Sequence, residues 1–212
     1  MKTSIVLKTL LGAGALTLPL LAFAESNVQT GAATAAPGAT AHVDFAIVIP
    51  KILYLRVGSG SAYASGTLAS ANSIDLITFS PAAGTVGNGT PVAGTGGDLP
   101  GGVETAAIVS NSGNVTLSAS TGGALSNGAG DSIPWTQITT AATTLTSSTQ
   151  LPAPVLTNGT SSNVVLTAPA TKLIVEDAKW TYSYANAANV PAGTYGGVNV
   201  NNSRVTYTAT MP

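Results

Sequence analysis

The chain has 212 residues, of which only 7% are charged, with seven basic and eight acidic side chains, one histidine and no cysteine. Ordinary soluble domains carry about 25% charge, so the solvent-facing surface has to be made from Ser, Thr, Asn and Gly. Scattered cations leave nothing to neutralise a phosphate backbone, which excludes a nucleic-acid partner, and the missing cysteines exclude disulfides and thiolate chemistry.

Residues 1–24, MKTSIVLKTLLGAGALTLPLLAFA, combine Lys2 and Lys8, an apolar run broken by Pro19 and an A-x-A ending at Ala22 and Ala24. This is the layout of a secretory signal peptide cleaved before Glu25, and the run is too short to span a bilayer, which takes about 20 apolar residues. No other segment is apolar enough to cross. The 188 residues that follow carry five basic and eight acidic groups and predict one domain with a real core. The expected location is secreted, extracellular or at the cell surface, the periplasm included.

Residues 25–41 are small and nearly uncharged and read as a flexible N-terminal arm. From residue 42 onward the apolar residues alternate. Val43, Phe45, Ile47 and Ile49 in HVDFAIVI share one face of a strand, and ILYLRVG follows after Pro50, then SIDLITF at 73–79. Residues 81–102 hold eight glycines and three prolines, a long loop rather than a regular element. VETAAIV (103–109) and NVTLSAS (114–120) flank Ser110-Asn111-Ser112-Gly113 and predict a hairpin. NVVLTA (163–168), KLIVEDAKWTYSYAN (172–186), YGGVNV (195–200) and RVTYTAT (204–210) complete about nine or ten strands. Strands without helices predict an all-β antiparallel sandwich over 42–212.

Trp180, Tyr182 and Tyr184 share one strand face, and Val205, Tyr207 and Ala209 share another. The alternation predicts core packing of the last strand over Trp180 rather than a sugar platform. AAIVSNSGNVTLSAS, SIPWTQI, AKWTYSYAN and the terminal VPAGTYGGVNVNNSRVTYTATMP resemble bacterial secreted Ig-like surface domains of the WxL-like and pilin-like kinds. The resemblance covers roughly residues 103–212 and implies an Ig-like sandwich with Greek-key-type connections and a structural or adhesive role outside the cytoplasm. The chain has no Trp-x-Leu pair, with Trp135 and Trp180 standing in PWTQ and KWTY instead, and lacks the paired cysteines of many fimbrial subunits.

Catalytic constellations are missing from the sequence. His42 has no partner set for a nucleophilic triad, no G-x-S-x-G occurs, and Glu176 and Asp177 are adjacent and so point to opposite strand faces. The chain is therefore not expected to be an enzyme or to need a cofactor. No metal site is expected either. The groups best placed for calcium are Asn127 and Asp131, with Asp98 or Glu104 in neighbouring loops, and their spacing fits no defined calcium loop. The reading that follows is a non-catalytic secreted or cell-surface structural or adhesive protein, associating with itself, with other surface proteins or with glycans. The alternative is a carbohydrate-binding module contacting glycan through Tyr54, Tyr63, Trp135 and Tyr195. Donor-strand exchange needs large alternating apolar residues in the arm, and 25–41 offers only Val28, so a self-complete domain is expected.

Overall fold

The computed structural model describes residues 26–33, 38–58, 73–159 and 162–212, and Tyr63 lies outside them. The chain divides into two units, Met1–Ile49 and Pro50–Pro212. In the first unit the described residues form no strand, and the predicted strand at 42–49 is not there: Val43, Phe45, Ile47, Val48 and Ile49 are 74–92% exposed.

The second unit is all β. Its strands are β1 (Leu53–Val57), β2 (Ile77–Thr78), β3 (Val92–Ala93), β4 (Thr95–Gly96), β5 (Val103–Ser110), β6 (Val115–Thr121), β7 (Leu125–Ser126), β8 (Ser132–Ile133), β9 (Ile138–Thr143), β10 (Ser162–Leu166), β11 (Ile174–Tyr184) and β12 (Val205–Thr210). One sheet runs β1-β5-β11-β9, with β3 pairing the end of β11. The other runs β10-β6-β12, and every pair in both is antiparallel. Two further pairs, β2-β4 and β7-β8, are only two residues long. Within 81–102 the chain forms β3, β4 and a single 3-10 turn at Ala83–Thr85.

The two main sheets enclose the core. β5 contributes Ala106 and Ile108, β6 contributes Val115, Leu117 and Ala119, and β11 contributes Ile174, Ala178, Trp180, Tyr182 and Tyr184. Period-two alternation puts each set on one face. The predicted hairpin between 103–109 and 114–120 is instead a crossing between sheets, since β5 pairs β1 and β11 while β6 pairs β10 and β12. Gly113, at φ 99°, donates its N–H to Lys172 O and turns the chain from one layer to the other. The predicted strand 195–200 also does not form. Gly196, Gly197, Asn199, Asn201 and Asn202 all take positive φ, a backbone that ladder pairing does not accept.

At one side of the sandwich β1 and β12 are both edge strands. Their core-facing residues, Leu53, Leu55 and Val57 on β1 and Val205, Tyr207 and Ala209 on β12, are only half-buried. No helix is long and apolar enough to cross a membrane among the described residues.

Candidate functional site

The aromatic row belongs to the core. Trp180 is fully buried, and its indole N–H donates to Leu151 O at 2.8 Å. Tyr207 of β12 lies over it with ring centroids 5.3 Å apart, and the Tyr207 and Tyr182 hydroxyls share a hydrogen bond of 2.8 Å. Burial pushes the Tyr207 phenol up to about 12 and raises Tyr182 well above its ordinary value. Tyr184 packs against Phe79 at 6.4 Å between centroids. The Trp180 indole N–H and the Tyr182 and Tyr207 hydroxyls are thus satisfied inside the protein.

The proposed glycan contacts are not gathered into a platform. Trp135 is 6% exposed, contrary to the expectation of a surface ring: it sits in a 3-10 turn whose N–H bonds Asn158 Oδ1, and its indole donates to Gly123 O at 2.8 Å. Tyr54 is half-buried on β1, on the face opposite Leu53 and Leu55. Tyr195 lies in the loop held to β7 by Gly196 N–H and Ser126 O, and its hydroxyl donates to Pro191 O.

Asn127 and Asp131 face each other across the β7–β8 turn. The Asn127 amide donates to Asp131 Oδ2 at 2.7 Å, while Asn127 Oδ1 accepts from the Ala129 and Asp131 N–H groups. The oxygens that a cation would need are tied into the turn itself. Among the described residues no group of three or more His, Cys, Asp or Glu side chains is arranged to hold a metal ion.

Two carboxylates are buried. Asp177 is fully buried on β11, where Oδ1 accepts from the Thr146 and Ser147 N–H groups at 3.0 and 2.8 Å and Oδ2 from the Thr146 hydroxyl. It pins residues 144–151 alongside β11, where Leu151 N–H bonds Asp177 O. Glu104 is buried at the end of β5, opposite Trp180 in register and so on the core face. Its Oε2 and Asp75 Oδ2 both crowd Gly58, where the φ of +82° and the lack of room, a Cβ standing within 2.7 Å of each oxygen, both call for glycine. Asp98 lies beside it, accepting from the Thr105 N–H and hydroxyl, and Arg56 donates to that same Thr105 hydroxyl. Burial first, then the Asp75 and Asp98 charges, raise Glu104 to about 7. The cluster draws β1, β5 and the segments 73–78 and 97–99 together around Glu104, whose carboxyl keeps its proton more readily than an ordinary glutamate. Its sequence signal was a carboxylate at the parity of Ala106 and Ile108.

No family model, curated protein or solved structure matches the chain.

Proposed function

We propose that this chain is a non-catalytic secreted or cell-surface structural protein, a subunit of a surface assembly built on an Ig-like sandwich. The observation that carries this reading is the inward burial of Trp180, Tyr182 and Trp135, with half-buried Tyr207 laid over Trp180, and the bonding of all four polar tips to the chain itself. A glycan-binding module needs aromatic rings open to solvent and convergent polar groups, whereas both tryptophans and the Tyr182, Tyr184 and Tyr207 rings are taken up in packing. The buried Asp177 carboxylate is likewise absorbed by backbone and hydroxyl partners. The N-terminal segment 1–24 supports export, and the likeness of 103–212 to secreted surface domains of the WxL-like and pilin-like kinds supports the same destination.

The test has two arms. Fractionation of cells producing the chain with a C-terminal epitope should place it outside the cytoplasm, open to protease added to intact cells. The purified mature chain on a glycan array should retain no sugar. Cytoplasmic retention overturns the surface assignment, and glycan retention lost on Tyr54→Ala or Tyr195→Ala replaces it with the carbohydrate-binding reading.

A further inference from the structure

We propose that residues 43–49 of one molecule add as a β-strand to the free edge of β12 in a second copy of the same chain. This rests on the structural-subunit reading above and specifies its mode of assembly. The donor half comes from exposure. Val43, Phe45, Ile47 and Ile49 alternate with Asp44, Ala46 and Val48, the pattern of a strand with one apolar face, yet all four apolar side chains are at least 74% exposed. An apolar row of this kind left in water is a surface waiting for a partner. Alternation alone assigns 43–49 to the sandwich itself. The small residues of 25–41 then leave no donor, and moving that boundary to Pro50 reverses the conclusion.

The acceptor half comes from the edge. β12 pairs only with β6, so its other row of backbone N–H and C=O groups is unpaired by any strand among the described residues. Protected edges carry charges, prolines or bulges, and VTYTAT over 205–210 has none of these. β12 and β1 together leave Leu53, Leu55, Val57, Val205 and Tyr207 half-buried on the side where the two sheets end. A strand of seven residues laid on β12 would continue the three-stranded sheet and close that strip with Phe45, Ile47 and Ile49. Length agrees, since β12 has six residues. Parity agrees as well: with the apolar row inward, Asp44, Ala46 and Val48 share the outer face with Arg204, Thr206 and Thr208. A parallel strand then sets Asp44 beside Arg204. An antiparallel one sets it near Lys51, whose ammonium bonds Pro212 O at the far end of β12. The contact is heterologous, segment to edge, so each molecule can donate to one neighbour and accept from another, which gives open linear chains rather than closed dimers.

The cysteine-free chain allows a direct test. Mature protein carrying Ala46→Cys is mixed with a differently sized tagged version carrying Thr206→Cys or Thr208→Cys under mild oxidation; disulfides need Cα atoms within about 7 Å. The expected result is a mixed disulfide with one β12 position, Thr206 for parallel or Thr208 for antiparallel addition, and at least tenfold less with Val165→Cys on β10. Adding Phe45→Asp and Ile47→Asp to the donor should abolish the product while leaving its melting curve unchanged. Absence of mixed disulfide, equal linking to Val165→Cys, or closure within one chain in the Ala46→Cys/Thr206→Cys variant overturns the proposal. Such a failure leaves the fractionation and glycan results standing, so the loss of this assembly mode is separable from the loss of the surface role.

Discussion

Trp180 concentrates more packing in one position than any other side chain of the core, and it does so with its N–H satisfied by Leu151 O. Trp180→Ala should therefore cost about 3–5 kcal/mol in urea melts, with Tyr207 losing its ring partner. A change below about 0.5 kcal/mol, as at exposed sites, would contradict the core assignment. Glu104 makes the other residue-scale prediction. In the fold it holds its proton up to about 7, against 4.5 for an ordinary glutamate. The native state thus binds more protons than the unfolded chain between those values, and stability falls as pH rises through that window and levels off above 7. The full penalty is up to about 3 kcal/mol at 1.36 kcal/mol per unit. Glu104→Gln keeps the shape without the charge, so its melting temperature should fall less from pH 5 to 8 than the parent's, the remainder coming from Glu176, which burial also raises; a parallel decline in both would remove Glu104 as a cause. The position was half legible. Its core-face parity can be read from VETAAIV, but Asp75 stands 29 residues away and only the fold brings it near.

Elements whose character depends on local alternation were readable, and those that depend on partners were not. KLIVEDAKWTYSYAN and RVTYTAT became β11 and β12 because the period of two decides which face is buried. Ser110–Gly113 was misread as a hairpin because the same turn residues serve a return within one sheet and a crossing to the next; Lys172 O, which receives the Gly113 N–H, is 59 residues away. At 195–200 the alternating Val198 and Val200 suggested a strand, and the positive φ of Gly196, Gly197 and Asn199 decided otherwise. Residues 144–151, which follow β9, take their order from Asp177 rather than from a pattern of their own. Asp177→Ala would leave the Thr146 and Ser147 N–H groups without their carboxylate, each lost bond exposing a donor worth about 1–3 kcal/mol. The expected outcome is a loss of roughly 3 kcal/mol and faster amide exchange at Thr146 and Ser147. Unchanged protection there would mean that the carboxylate does not hold the segment.

At the scale of the whole molecule, the boundary at Pro50 decides which residues serve the fold and which are left for association. Among the described residues, every buried core side chain lies in 50–212. Asn111 anchors the entry to that unit, accepting the Ile52 N–H through Oδ1 and donating through Nδ2 to Pro50 O, both at 2.8 Å. With so little charge and no disulfide, stability has to come from the apolar area between the two sheets, and the exposed row at 43–49 adds nothing to it. Deleting residues 25–49 should then leave a protein that unfolds in one cooperative step, with a melting temperature within about 2 °C of the longer chain. A segment making no buried contact contributes too little to move it further, since about 1 kcal/mol corresponds to 2–4 °C in a domain of this size. Scanning calorimetry on dilute samples of both forms decides the point. A large fall in melting temperature for the shortened chain at the lowest concentrations would show that 43–49 is part of the folding unit after all, and with it that the strand expected there from alternation does form.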